Sequence, residues 1–400
     1  MKAKKSTTGS LANKNRATPP ACDCLEISFF GPSYGECVLI HVGNGHWVIV
    51  DSCVSTSTGE PQALEYLNEI GADLSLIRAI VATHWDDDHV RGLARCMVNA
   101  PNADFVISGA FASEDFTTIL RVFDRNPIGV STGLKEIIDA LECMRERGKH
   151  PILAVANKPL LPADHATDPS VEIVALSPSD ATIIDGHLNI GKLLQNVVKN
   201  RIRMPESHRN DRSVVLWLRM GKAFALLGSD LEEVGDEQRG WSAIVLSGSN
   251  RQKASAFKIP HHGSKTSHHD AIWTELLETN PPSVITPWKK GFRALPTRQD
   301  IERFQKLTDR LYVTTIPQNK RGTRTPEVEQ MIRNTALELR QVDLTGGQVR
   351  LRADTKTNPT QWSVELFNGA RKIEGQMSKA FFDPLSRGNK DRPWLLAGSG

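Results

Sequence analysis

Thr83-His84-Trp85-Asp86-Asp87-Asp88-His89-Val90-Arg91-Gly92 follows directly on the apolar run Arg78-Ala79-Ile80-Val81-Ala82. The run has the composition of a buried strand. Five polar side chains able to bind metal fall within six positions at its end. In a tight loop there, alternate residues converge on one point, so His84 and Asp86 face one cation while Asp88 and His89 face another. Three consecutive aspartates repel one another strongly unless cations neutralise them. An exposed acidic turn would account for the aspartates. It gives no reason for two flanking histidines or for a buried strand as anchor.

Working outward, two other strand ends have the same form. Ala223-Phe-Ala-Leu-Leu-Gly-Ser-Asp230 is an apolar run ending in a small turn and one carboxylate. Ala256-Phe-Lys-Ile-Pro260 ends in His261-His262-Gly263-Ser264-Lys265-Thr266-Ser267. A single Asp or His at a strand end is ordinarily a cap or turn residue. Three such ends point to one site, because ligands gather at strand ends in α/β folds. Around them, 25–30, 37–42 and 47–50 read as short antiparallel strands and 61–70 as a helix. Residues 116–123 and 134–147 also have helical spacing. Residues 171–176, 283–286, 349–352 and 363–367 read as strands, and 213–219 with 223–227 as a hairpin. The interleaving gives an α/β class.

These motifs resemble the metallo-β-lactamase fold superfamily. His84-x-Asp86-x-Asp88-His89 is similar to its His-x-His-x-Asp-His signature, with Asp replacing the second His. Leu226-Leu-Gly-Ser-Asp230 looks like the strand supplying the carboxylate that bridges two metals. Pro260-His-His-Gly-Ser-Lys-Thr-Ser267 resembles one branch, the hydrolase domain of the ComEC competence DNA-uptake protein and its standalone relatives. So do Gly31-Pro-Ser-Tyr-Gly-Glu-Cys-Val-Leu-Ile40, Trp47-Val-Ile-Val-Asp51 and Asn210-Asp-Arg-Ser-Val214. The resemblance covers roughly residues 24–353.

It implies an αββα four-layer sandwich, two mixed β-sheets flanked by helices, over 23–370 with an insertion at about 99–192. Residues 1–22 would be a disordered basic tail and 371–400 a flexible one. It further implies two divalent metals about 3.5–4 Å apart, bridged by Asp230 and a hydroxide. His84 and Asp86 would hold the first. Asp88, His89 and one of His261 or His262 would hold the second, with His261 taken as the ligand and His262 as a catalytic group. Asp51 and Asn210 would orient ligands from behind, and Asp88 would accept the nucleophile's proton. Ser264, Lys265 and Thr266 would bind a phosphate oxygen, Lys265 acting in catalysis as well, and Gly263 would let substrate approach the backbone. The third-motif histidine common among relatives has no clear match; His165, His187 and His208 lie in its interval without the expected context. The carboxylate-rich set favours Mn²⁺ over Zn²⁺. ComEC itself has many membrane spans, and no stretch here approaches the roughly 18–20 apolar residues of one.

Composition bounds the rest. Hydrophobic residues make up 39% and charged residues 24% of 400, an ordinary globular balance. No apolar core follows the N-terminus to make a secretory signal. Six cysteines without a CxxC pair suit a reduced, cytoplasmic chain. The net charge of +3 includes five basic side chains in residues 1–20, and without them 44 basic residues face 46 acidic ones. The basic excess is local: ten against three over 286–324, seven against two over 195–222. Such patches suit a polyanion, or are solvated faces balanced in the fold. Trp85 and Trp288 could stack on bases, with packing the plainer role. The leading expectation is a metal-dependent nuclease acting on DNA, with no membrane partner. As in some standalone relatives of this branch, a regulatory protein partner in a bacterial antiphage system is a further expectation. The alternatives are a small-molecule ester or lactone hydrolase on the same site, and an accessory binding protein with an inactive site.

Overall fold

A computed structural model describes residues 16–32, 34–111, 132–161, 169–198, 210–247, 251–291, 293–315 and 346–375, with 327, 330 and 331. The chain opens with β1 (Cys24–Gly31), β2 (Cys37–Val42) and β3 (Trp47–Val50), an antiparallel meander. After helix α1 (Gln62–Glu69), β4 (Ile77–Ala82) and β5 (Asp104–Ser108) add in parallel. Helices α2 (Asp87–Val90) and α3 (Leu93–Asn99) lie between these two strands, and α4 (Thr132–Glu146) leads to β6 (Ile152–Ala154). At the other edge β16 (Gly347–Asp354) and β17 (Asn358–Phe367) complete an eight-stranded sheet.

The second eight-stranded sheet is built the same way. The strands β7 (Lys158–Leu161), β8 (Val171–Ala175), β9 (Leu216–Met220) and β10 (Ala223–Leu227) are antiparallel. Then β11 (Ala256–Lys258), β12 (Ser283–Ile285) and β15 (Leu311–Val313) continue in parallel, and β18 (Arg371–Lys372) closes the edge. A separate hairpin joins β13 (Trp288–Lys290) and β14 (Arg293–Leu295).

Three apolar layers make this a four-layer sandwich. The side-chain period of two divides each strand between faces. Leu25, Ile27, Val38, Ile40, Val48 and Val50 meet Leu216, Leu218, Ala223, Ala225 and Leu227 between the sheets. The opposite faces of β2 and β3 (Leu39, Trp47, Ile49) pack under α1, α3 and α4 through Leu67, Met97 and Ile137. Beyond the second sheet, past helix α5 (Asp180–Val198) in the chain, Leu226 and Phe257 pack under α6 (Gly240–Leu246) and α7 (Arg298–Phe304) through Trp241, Ile244, Ile301 and Phe304. Strands covered on both faces read as continuous apolar runs, which is why they stand out in the sequence.

Three expected boundaries meet regular structure. The stretch 99–192 contributes to both sheets: β5 and β6 extend the first, and β7 and β8 extend the second. Of its strands β8 is the one the sequence shows, whereas β6 and β7 run only three and four residues, too short for their periodicity to be read. The tail expected from 371 starts later, because Arg371 and Lys372 pair with β15 and Ile373 is buried. Residues 16–22 are held on β16, where Arg350 donates to the Arg16 carbonyl at 2.9 Å and Arg16 to Gln348 at 2.9 Å. The helix expected at 116–123, His165 and His208 lie outside the described residues.

Candidate metal centre

The parallel strands β3 and β4 of one sheet and β10, β11 and β12 of the other end at the same place. Their carboxyl ends carry Asp51, the His84–His89 loop, Asp230, His261-His262 and Thr286. Backbone bonds lock the loops together: Glu36 N–H donates to the Asp88 carbonyl (2.8 Å), Ser52 to His89 (2.6 Å), and His261 to Ser229 (2.8 Å). Asp51, Ser229, His261 and His262 all have φ between 46° and 58°. That region is costly for side chains other than glycine, and such strain clusters at functional sites.

Two groups of side chains offer ligand atoms within 4.8 Å of one another: Glu36, His89, Asp230 and His262, and then Asp51, His84 and His89, all buried. Their hydrogen bonds set each imidazole. The Asp51 carboxylate accepts the Thr83 N–H (2.8 Å), the Thr83 hydroxyl (2.7 Å) and His89 Nδ1–H (2.8 Å). Having given its proton to Asp51, the Thr83 oxygen accepts from His84 Nδ1–H at 2.9 Å. His262 Nδ1–H donates to the Thr286 carbonyl at 2.8 Å. In all three rings the Nδ1 partner is an acceptor, so Nε2 is left to face the site. The Nε2 atoms of His84, His89 and His262 are buried without a hydrogen-bond partner. Buried nitrogens without a hydrogen bond are expensive, and three of them gathered beside carboxylates suit a divalent cation. The donor set therefore fits the expected metals.

The electrostatics agree. Asp230 Oδ2 lies 3.3 Å from His89 Nε2 and 3.4 Å from His262 Nε2, and Asp88 Oδ2 lies 3.2 Å from His262 Nε2. Burial opposes charge on every one of these groups, yet the carboxylates win. His262 is raised to about 10 by Asp230 and Asp88, and His89 well above the ordinary range by Asp230 and Asp51. Asp230 and Asp88 are lowered in return. His84, further from a carboxylate, is pushed down to about 3 by burial, with His89 adding to the effect. Protons thus serve as counter-charges in positions where cations would replace them. Glu36 and Lys258 neutralise each other, a salt bridge of 2.7 Å. That leaves Asp51, Asp88 and Asp230 as the carboxylates facing the three histidines, an excess of negative charge that suits divalent cations.

Other expected residues sit elsewhere. His262, rather than His261, reaches the carboxylates; His261 turns to Glu232 (3.0 Å), Thr266 (3.3 Å) and Asn210 (3.2 Å). Two adjacent residues in the left-handed region point apart, and the sequence alone gives no means of choosing between them. Asn210 therefore touches His261 and not the carboxylate cluster. Asp86 is half-buried at the start of α2 and belongs to neither ligand group. Ser264 and Thr266 bond each other (3.0 Å), Thr266 bonds Glu232 (2.9 Å), and Lys265 is exposed. The open side of Gly263 (φ 84°) is filled by Phe304, Pro296 and Ile285, so this glycine serves a turn and its packing, not substrate approach. His187 bonds the Gly109 carbonyl and belongs to neither ligand group. Trp85 packs on Phe111, ring centroids 4.1 Å apart.

Sequence reading missed Glu36, Thr83, Lys258 and Thr286. Lys258 had a signal: a lone cation inside an otherwise apolar strand, and it is fully buried. Glu36 lay inside a quoted motif without a role.

Solved structures match this chain at low identity and low TM-score. The metallo-beta-lactamase fold protein YhfI from Bacillus subtilis is 11% identical, with 59% of this chain and 70% of that one covered and a TM-score of 0.31. MEM-A1, a subclass B3 metallo-beta-lactamase from a soil metagenome library, is 12% identical, covering 65% and 87% with a TM-score of 0.31. A Cronobacter sakazakii metallo-beta-lactamase is 14% identical, covering 61% and 79% with a TM-score of 0.30. No curated protein matches the sequence. The family match is local, and it falls on the stretch that carries Glu36, Asp51 and the His84–His89 loop: residues 30–111 match the metallo-beta-lactamase superfamily.

Proposed function

We propose that this protein is a metal-dependent hydrolase of phosphodiester bonds, with DNA as substrate. The observation that carries this reading is the rim of the metal centre. Trp288 stacks beside His262, centroids 6.3 Å apart and planes at 21°, and Tyr34 lies 6.4 Å from Trp288. Arg91 and Lys290 stand 6.0 and 5.8 Å from the Tyr34 ring. The β13–β14 hairpin that bears Trp288 adds Lys289 and Arg293 and has no acidic residue. Aromatic faces beside cations match what a nucleotide presents, a base and a phosphate. A neutral ester or lactone has no use for the cations. Trp288, treated above chiefly as a packing residue, is half-buried at this mouth.

In this reading His84 and Asp86 would hold one divalent cation, and Asp88, His89, Asp230 and His262 the other, His262 taking the place first given to His261. Bound there, such cations would supply a nucleophilic water at neutral pH and offset the charge that develops on the phosphorus oxygens. Asp88, whose side chain is 12% exposed against 4% or less for His89, Asp230 and His262, meets an incoming water first and takes its proton. Exposed Lys265 and the rim cations bind phosphate. The carboxylate-rich donors select Mn²⁺ over Zn²⁺.

The test is purified protein with plasmid and single-stranded DNA, supplied with Mn²⁺, Mg²⁺ or Zn²⁺, beside Asp88→Ala and Trp288→Ala. Degradation that needs metal, disappears in Asp88→Ala, weakens in KM for Trp288→Ala and falls steeply with salt is the expected result. Intact DNA in every lane with metal bound stoichiometrically would move the assignment to a small-molecule hydrolase.

A further inference from the structure

Lys258 is fully buried beside the metal centre, yet it belongs to none of the ligand groups. Its ammonium has three hydrogens to place. One goes to Glu36 Oε1 at 2.7 Å and one to the Ser229 carbonyl at 2.9 Å. The nearest remaining acceptor is Asp230 Oδ1, at 3.8 Å, which is buried and has no hydrogen-bond partner of its own. Glu36 in turn accepts from the Thr286 hydroxyl, while the Thr286 carbonyl holds His262 Nδ1. A chain of contacts thus runs from Asp230 through Lys258, Glu36 and Thr286 to His262.

A buried ion pair is a poor device for stability alone, since apolar residues of the same volume usually serve as well. This pair also adds no net charge that would draw a cation. What it does hold is direction. Asp230 Oδ1 is turned toward the ammonium, and Oδ2 toward His89 and His262. The two ligands come from the ends of different strands, β10 and β11, and meet at 3.4 Å, so their relative orientation has to be set from behind.

We infer that Lys258, paired with Glu36, is a positioning residue for the metal centre: it fixes Asp230 so that a single carboxylate oxygen is offered to cations, and through Thr286 it sets the facing angle of His262. The inference concerns metal loading and holds for whatever substrate the site takes.

The test is a calorimetric Mn²⁺ titration of EDTA-stripped full-length protein. The variants are Glu36→Asp, which keeps both charges but withdraws the carboxylate, and the double variant Glu36→Gln with Lys258→Met, which removes both. Thermal melts without metal report folding separately. Mn²⁺ affinity should fall about 10–100-fold in the double variant, the range for outer partners of ligands, and by less in Glu36→Asp. Wild-type affinity in a folded Glu36→Asp or in a folded double variant would overturn the proposal and leave the pair a structural one. Failure of the wild type to bind Mn²⁺ would remove the metal reading with it, while failure to cut DNA would touch only the substrate assignment.

Discussion

The two halves of the metal centre solve one problem with different chemistry. On the β3–β4 side a single carboxylate, Asp51, orients two histidines, one directly and one through the Thr83 hydroxyl. On the β10–β11–β12 side a neutral pair, Glu36 and Lys258, orients a carboxylate and a histidine. The first half contributes an extra negative charge that strengthens cation binding. The second contributes geometry alone, because Asp230 already supplies charge and another anion would repel it. Orientation of histidine by an anion behind it raises ligand basicity, and orientation of an anion by an ammonium lowers it. The halves are therefore tuned in opposite senses.

The sharpest way to break this comparison is to remove a ligand from the second half. His262→Ala should abolish binding at one cation position and lower turnover by at least about 10²–10³-fold, the loss seen when one group facing developing charge is removed; metal analysis of the dialysed protein and a rate assay decide it. Asp51→Asn comes next. It keeps the shape but removes the charge and one acceptor, so Mn²⁺ affinity should drop about 10–100-fold while the chain stays folded. Unchanged affinity would mean that Asp51 is only a packing group. Thr83→Val then isolates the relay to His84. It strands a buried Nδ1–H, so a cost of about 1–3 kcal/mol in stability is expected, read from denaturant midpoints, with His89 still held by Asp51. The smallest effect belongs to His261→Ala. With its ring turned to Glu232 and Asn210, metal affinity should stay within about twofold, far below one tenfold step of 1.4 kcal/mol. A loss equal to that of His262→Ala would return the ligand role to His261.

The same division separates what could be read early from what could not. His84, Asp86, Asp88 and His89 are contiguous, so strand end and chemistry lie in one window. Asp230 and the His261-His262 pair each end a recognisable apolar strand. Glu36 precedes β2, Lys258 ends β11 and Thr286 follows β12, and their carboxylate, ammonium and hydroxyl are ordinary until the fold places them within hydrogen-bond reach. The short strands β6 and β7 escaped notice for a related reason. Three or four residues hold too few alternations to show a period, and their place in the sheets is set by the neighbours they pair with.

By itself, then, the sequence determined the α/β class, most of the long strands, and the presence of a carboxylate-rich cluster with histidines at strand ends. These follow from local periodicity and from residue types that cannot be buried without counter-charge. Only the tertiary structure decided which histidine of the 261–262 pair faces the carboxylates, which nitrogen each imidazole presents, and that a buried lysine stands behind Asp230. Those are matters of direction and of distance between remote segments, and they are settled by backbone conformation and by the hydrogen bonds that form only when the two sheets close on one another.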